Sequence, residues 1–258
     1  MHIVFCTPYG ATATPEHYRR KAMVQAGMAL HTFSYVEIDM HIVSKARSII
    51  VQATPPGADV LWFVDSDVLL PPNAPELLTG LEHSPVVSGV YFSRRHPYLP
   101  QVYNRVSAEI DNFSYLPVVS LPQEPFFADA VGAGCLLVRR SVFEDLTREH
   151  KEWRDTVHKW TKRWLKRRKE NSETMAVLRA LLLGSALTPH FEFLDTVGED
   201  FWFCDQLRFF LEIRPWVMPQ VMCEHEAIRP VTVADYHAAL NAGQIQYVSE
   251  SREERGAA

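Results

Sequence analysis

The chain has 258 residues and a net charge of −5, and 47% of its residues are hydrophobic, which is typical of a soluble globular protein with one large or two small domains. The acidic balance argues against a protein that binds nucleic acid over its whole surface. No apolar run approaches the roughly 20 residues of a membrane span, and four scattered cysteines without a C-x-x-C pair predict reduced thiols in a cytoplasmic protein.

The first 92 residues alternate between strand and helix patterns. Strands are predicted over 2–6, 32–39, 59–64 and 85–92, and helices over 15–30, 44–53 (with Ser44 as N-cap) and 73–81. This alternation predicts an α/β fold with a mostly parallel sheet flanked by helices. Because such sheets bind ligands at the carboxyl ends of their strands, we expect Thr7–Gly10, Ser44–Arg47 and Asp65–Asp67 to lie close together.

The stretch LWFVDSDVLLPP (61–72) places two carboxylates directly after a buried strand. If the backbone stays extended there, Ser66 points away while Asp65 and Asp67 face one side. Two adjacent like charges repel unless a cation lies near them, and carboxylate oxygens together with a diphosphate suit Mn²⁺ or Mg²⁺. A lone D-x-D is a weak motif, but its place after the strand favours a metal–diphosphate site over a chance match.

Two glycines flank Ala133 in the segment DAVGAGCLLVRRSVFE (129–144). Missing side chains at Gly132 and Gly134 would let a substrate approach the backbone closely. The alternative is a tight turn or bulge without any ligand.

A strongly basic segment follows. Residues 151–169 carry nine Lys or Arg and two acidic residues, a local charge of +7, so the remainder of the chain carries −12. Trp153, Val157, Trp160 and Trp164 share one face of the predicted helix, and a second helix over 172–184 would fold back on it. The segment is either a solvated helical hairpin whose tryptophans pack on the core, or a surface for an anionic partner such as a membrane interface or nucleic acid.

Two further sites carry charged or metal-binding side chains near the end of the chain. Glu199 and Asp200 open a predicted helix, where acidic residues favour the helix dipole or can serve as a general base. His225 lies between two glutamates after an apolar run. A lone histidine is more often a packing residue than a ligand, so the residues alone leave its role open.

Taken in order, these segments resemble nucleotide-sugar-dependent glycosyltransferases of the GT-A fold, particularly the family-2-like group. The matching segments are TPYG, SKARSII, VLWFVDSDVLLPP, DAVGAGCLLVRRSVFE, VGEDFWFCDQLR and CEHEAIRP, and together they cover roughly 1–145 and 187–230. The resemblance implies one catalytic domain made of a donor-binding half with the pocket (1–145), a basic helical insertion (146–186), a catalytic helix with a metal histidine (187–232), and a C-terminal helix with a frayed tail (233–258).

The resemblance also implies an activity and a role for each matching residue. A sugar would move from a nucleotide-diphosphate sugar, a UDP-sugar by default, to an acceptor hydroxyl with inversion, although retaining enzymes share the same donor site. Asp200 would be the general base, with Glu199 supporting the site. The donor would be bound by Thr7, Pro8, Tyr9, Arg47, Asp65, Ser66, Asp67, Gly132, Ala133 and Gly134, and Mn²⁺ or Mg²⁺ by Asp65, Asp67 and His225. Asp65 would orient the ribose or a metal-bound water.

The match is partial, and several questions stay open. The helix lacks a second functional carboxylate at the usual near spacing, because Asp205 lies too far along it. The acceptor can be a glycan, a lipid, a protein or a modified nucleic acid, and contact through 151–169 would make the protein peripheral at a membrane.

Two functions of other classes compete with this interpretation. A haloacid-dehalogenase-like phosphatase also combines a hydrophobic strand with D-x-D, but on its first strand. A non-catalytic module that binds anionic surfaces through the basic segment would leave the ordered carboxylate, glycine and histidine matches unexplained.

Overall fold

The structure is a computed structural model and describes residues 1–9, 13–40, 42–94, 96–106, 115–165, 190–191, 198–226 and 233–241. The strands are β1 (His2–Tyr9), β2 (Thr32–Asp39), β3 (Val60–Val64), β4 (Val68–Leu69), β5 (Val86–Val90), β6 (Val102–Arg105), β7 (Tyr115–Pro117), β8 (Phe126–Phe127), β9 (Ala130–Val131), β10 (Cys135–Arg139), β11 (Trp216–Met222) and β12 (Glu224–His225). The helices are α1 (Pro15–Ala26), α2 (Val43–Ala53), α3 (Leu77–Gly80) after a 3₁₀ turn (Ala74–Glu76), α4 (Arg140–Leu165), α5 (Glu199–Leu211) and α6 (Val233–Asn241).

The main sheet has seven strands in the order β2-β1-β3-β10-β5-β11-β8. Strands β2, β1 and β3 are parallel, β10 runs antiparallel to both β3 and β5, and β11 runs parallel to β5. The edge strand β8 pairs antiparallel with β11, so within the described sheet only β8 and β10 run opposite to the other five strands. The predicted α/β fold with a mostly parallel sheet flanked by helices is therefore confirmed.

Helices cover the main sheet on both faces, because alternate residues of its strands enter two apolar clusters. In β3, Leu61 and Phe63 pack with Ile50 of α2 and with residues of α4 and α5. Trp62 and Val64 pack on the other face with residues of α1 and α3. This burial on both faces explains why β3 reads as an uninterrupted apolar run.

Two short sheets stand beside the main one. Strand β12 pairs antiparallel with β4, so that His225 lies opposite Val68. Strands β7, β6 and β9 form the other sheet. Both sheets lie next to loops at the carboxyl ends of the main strands, and β4 with β12 brings a late segment of the chain back to the D-x-D motif.

Several element boundaries differ from the sequence-based expectations. Strand β1 continues through Tyr9, since Thr7–Tyr9 pair with Glu37–Asp39 of β2, so the predicted loop at Thr7–Tyr9 is wrong. Ser44 does not cap α2, because that helix begins at Val43 with Ile42 at the N-cap. The region that we expected to be a single helix over 73–81 is a 3₁₀ turn followed by one α-helical turn.

The basic segment is helical as far as the structure describes it. Helix α4 continues unbroken from Arg140 to Leu165. The structure does not describe residues 166–169, the second helix predicted over 172–184 or the predicted tail. It also does not describe the side chains that form the predicted apolar face, those of Trp153, Val157, Trp160 and Trp164. The proposed division into a single catalytic domain with a basic insertion stays a prediction.

Among the described helices, none combines the length and apolar character that a membrane crossing requires. The cysteines are free and buried, as expected for reduced thiols, at Cys6, Cys135, Cys204 and Cys223.

Candidate active site

The D-x-D motif lies in a turn that follows β3. The Val68 N–H donates to the Asp65 carbonyl oxygen at 3.0 Å, which closes a tight turn before β4. The expected extended backbone is therefore absent here, because the chain bends to pair β4 with β12. Asp65 and Asp67 face different partners as a result, and the Ser66 side chain between them is buried.

Arg47, which is itself buried, joins three other predicted site residues into one partly buried cluster. Its Nη2 donates to both carboxylate oxygens of Asp65 at 2.8 and 2.9 Å, and its Nη1 donates to Glu199 at 2.8 Å and to Asp200 at 2.6 Å. The Arg47 side chain is only 2% exposed, and a buried charge needs such close partners. Three carboxylates against one guanidinium leave an excess of negative charge.

Burial and, after it, this excess of negative charge set the protonation of Asp200. The pKa of Asp200 is raised to about 7: burial raises it most, Arg47 and the Ala133 N–H lower it, and the charges of Glu199 and Asp65 also raise it. The side chain remains 23% exposed, so it can be reached from solvent. A carboxyl group with a pKa near neutrality can exchange a proton with a bound hydroxyl at physiological pH.

The glycine turn between β9 and β10 is filled by Tyr91. The Gly134 N–H donates to the Tyr91 hydroxyl at 3.1 Å, and a Cβ added at Gly134 would lie 2.7 Å from the ring. The Asp65 N–H in turn donates to the Gly134 carbonyl oxygen at 3.2 Å. The Tyr91 side chain therefore leaves no room for a side chain at Gly132 or Gly134. Donor binding by Gly132, Ala133 and Gly134 stays a prediction.

Asp67 meets His225 on the other side of the turn. The Asp67 Oδ2 lies 3.3 Å from Nε2 of His225, and the His225 Nδ1 contacts the Phe92 carbonyl oxygen at 2.6 Å. Arg94 Nε donates to the same Nε2 at 2.9 Å, and Arg94 Nη2 contacts the Asp67 carboxylate. Nε2 must therefore carry the lone pair and Nδ1 the proton, in agreement with burial lowering the pKa of His225.

These two side chains fit a divalent cation, although three predicted ligands do not converge. Ligand atoms about 2.1 Å from a cation and at right angles to each other lie about 3.0 Å apart, close to the 3.3 Å between Asp67 and His225. A histidine that donates Nδ1–H to a backbone carbonyl presents Nε2 in the form that binds metals. Asp65 is turned to Arg47, and within the described ranges no three His, Cys, Asp or Glu side chains gather for a metal ion.

The end of β1 contributes a third part of this edge. Cys6 pairs with Phe63 of β3, which places Thr7 and Pro8 beside the start of the D-x-D turn. The buried Lys21 donates to the Thr7 hydroxyl at 2.9 Å. Tyr9 belongs to this strand through its backbone, which pairs with Asp39. Contacts of these residues with a donor remain predicted.

Sequence reasoning missed Tyr91, Arg94 and Lys21. The sequence contained a signal for Tyr91 and Arg94, because both lie at or after the carboxyl end of the predicted strand that became β5. Residues at the carboxyl end of such a parallel strand lie at the same sheet edge as those after β1 and β3. Nothing in the sequence indicated that Lys21 is buried, because a lysine on an amphipathic helix normally faces water.

No protein-family model and no curated protein sequence matches the chain. Similar solved structures include A197 from STIV, with 16% sequence identity and a TM-score of 0.48, covering 88% of this chain and 86% of that chain. A glycosyltransferase involved in the glycosylation of the major capsid of PBCV-1 has 17% identity and a TM-score of 0.31, and the match covers 55% of this chain and 62% of that chain. GalNAc-T7 with UDP, GalNAc and Mn²⁺ has 13% identity and a TM-score of 0.45, and the match covers 87% of this chain and 42% of that chain.

The chain thus spans less than two thirds of the PBCV-1 enzyme and of GalNAc-T7.

Proposed function

We propose that the protein is a GT-A-type, metal-dependent glycosyltransferase. It transfers a sugar from a nucleotide-diphosphate sugar, UDP-sugar by default, to an acceptor hydroxyl with inversion. The observation that carries this proposal is the cluster in which the buried Arg47 binds the partly exposed carboxylates of Asp65, Glu199 and Asp200. It combines a carboxyl group of pKa about 7 with a D-x-D turn at the carboxyl edge of the sheet.

In the proposed reaction Asp200 acts as the general base. Its carboxylate accepts the proton of the acceptor hydroxyl while the hydroxyl oxygen bonds to the anomeric carbon. The bond from that carbon to the diphosphate oxygen breaks, and the electron pair leaves with the nucleoside diphosphate. Arg47 and the Ala133 N–H hold the Asp200 carboxyl in place, and burial together with the charges of Glu199 and Asp65 raises its pKa toward neutrality.

The leaving group needs positive charge, since negative charge accumulates on the diphosphate as the bond breaks. A bound Mn²⁺ or Mg²⁺ would supply that charge as a Lewis acid. Asp67 and His225 would hold the cation from the protein side, and the diphosphate would provide further oxygen ligands. Thr7, Pro8, Tyr9 and the glycine turn would line the donor, as the resemblance implies.

The phosphatase alternative is disfavoured by the state of Asp65. In such enzymes the first aspartate attacks phosphorus, which requires a free carboxylate oxygen. Both oxygens of Asp65 accept hydrogen bonds from Arg47 at 2.8 and 2.9 Å. The motif also follows the third strand rather than the first.

Binding of nucleotides tests the proposal directly. Calorimetry with UDP, GDP and their common sugar conjugates should show binding of one nucleotide that requires Mn²⁺ and is lost with chelator and in Asp67→Ala. Asp59→Ala is the matched control, because Asp59 lies at the opposite end of β3 and binds the His2 N–H. Absence of binding for every nucleotide, with and without metal, would overturn the proposal.

A further inference from the structure

Arg94 holds two acceptor atoms together that would otherwise repel. Nε2 of His225 carries a lone pair, and Oδ2 of Asp67 is a carboxylate oxygen, yet they lie 3.3 Å apart. Such a pair is unfavourable unless a donor or a cation bridges it. Arg94 does so with two different nitrogens, Nε on His225 and Nη2 on Asp67.

We propose that Arg94 is an internal counter-cation that competes with the divalent ion for Asp67 and His225, and that the donor's diphosphate drives the exchange. The inference rests on the proposed function. In the free protein the guanidinium contacts the same two atoms that would bind the metal. It must withdraw before a metal ion can reach them, because both cations need the same lone pairs.

Arg94 has room to withdraw, because more than half of its side chain is exposed to solvent. Its side chain is 55% exposed, whereas Asp67 and His225 are 15% and 10% exposed. The paired strands β4 and β12 fix the backbone of His225 beside the turn. Asp67 and His225 therefore keep their geometry while the guanidinium moves.

A diphosphate changes the balance between the two cations. It adds oxygen ligands for the metal and offers the released guanidinium a new anion, and arginine binds phosphate oxygens well. Metal alone should therefore bind weakly to the wild-type protein and much more tightly together with nucleotide. Removing the guanidinium should raise the affinity for metal alone and reduce the effect of the nucleotide.

The test is Mn²⁺ binding by electron paramagnetic resonance, with and without UDP, in wild type and Arg94→Met. Loss of charge-assisted hydrogen bonds to both acceptors should tighten binding of Mn²⁺ alone by about tenfold or more. The enhancement by UDP should shrink in the same variant. Asp67→Asn added to Arg94→Met should abolish the gained affinity, which locates the ion.

Arg148→Met is the matched control, since Arg148 is similarly exposed at 59% and also binds a carboxylate, that of Asp145. Its Mn²⁺ affinity should equal that of wild type. If Arg94→Met binds Mn²⁺ alone no more tightly than wild type while UDP-dependent binding persists, the competition is refuted and the transferase proposal stands. If neither protein binds Mn²⁺ with or without UDP, both fail.

Discussion

At the residue scale, the proposed chemistry depends on the burial of Asp200 and on an imbalance of charge around Arg47. One guanidinium serves the carboxylates of Asp65, Glu199 and Asp200. Burial and like charges then keep a proton on Asp200 up to about pH 7. Because the pKa of Asp200 is higher in the folded than in the unfolded protein, ionisation of this group destabilises the folded state. The stability should therefore fall as the pH rises from the ordinary aspartate value of 3.8 to about 7.

The pH dependence of transfer should report this group. A general base must be deprotonated, so kcat/KM for sugar transfer should fall about tenfold per pH unit below about 7 and level off above it. Glu199→Gln should move the profile to lower pH, because the charge of Glu199 raises the pKa of Asp200. Asp200→Asn should remove the dependence together with most of the activity. An unchanged profile in Glu199→Gln would contradict the role of Asp200.

At the element scale, the glycine turn and the D-x-D turn are one unit built around Tyr91. Strand β10 is hydrogen bonded to β3 and β5 on its two sides, and the Gly134 carbonyl accepts from the Asp65 N–H. The Tyr91 hydroxyl accepts from the Gly134 N–H. The position of Asp65 therefore depends on the space that the glycines leave for one buried ring.

Filling that space should destabilise the fold. Gly134→Ala would place a Cβ 2.7 Å from the Tyr91 ring, and overpacking of a buried site costs about 1–3 kcal/mol. Gly57→Ala is the control, because nothing lies within 4 Å of a Cβ there, and its effect should stay within about 0.5 kcal/mol. Urea denaturation monitored by tryptophan fluorescence compares the two. Equal stabilities would show that Tyr91 has room to move.

Local sequence patterns predicted most strands and helices of the first 92 residues, but they did not predict the order of the strands in the sheet. Strand β2 has the predicted bounds, because its alternating residues mark a half-buried strand. The insertion of β10 between β3 and β5 could not be predicted, since strand order is set by contacts between distant segments. The turn after β3 was missed for a similar reason: its bend serves the pairing of Val68 with His225. Arg47 beside Asp65 was anticipated, because α2 follows β2 and the D-x-D turn follows β3, and the carboxyl ends of these parallel strands lie at the same edge of the sheet.

At the scale of the whole molecule, charge is divided unevenly along the chain. Residues 151–169 carry +7 and the rest −12, and helix α4 continues into the basic part as far as Leu165. If this segment meets an anionic membrane surface, each Lys or Arg near that surface contributes about 1 kcal/mol.

Replacing Lys159, Lys162 and Arg163 by Gln should therefore weaken binding to vesicles rich in phosphatidylserine on the order of a hundredfold. Cosedimentation with anionic and neutral vesicles at low and high salt measures the effect. The control replaces three exposed basic residues elsewhere, Arg19, Lys45 and Arg148, by Gln. Equal losses in both triple variants would assign the binding to net charge alone, and no binding by wild type would favour the solvated hairpin.

The burial of every thiol gives the molecule a set of internal reporters. Cys6 lies in β1, Cys135 in β10, Cys204 in α5 and Cys223 between β11 and β12, and all four are buried. Burial raises the pKa of Cys6 and Cys204 far above that of a free thiol, so a labelling reagent reaches a reactive thiolate only when the surrounding element opens. Because Cys204 lies one helical turn beyond Asp200, the rate of its labelling measures how often helix α5 separates from the sheet, and the natural cysteines need no substitution for this measurement.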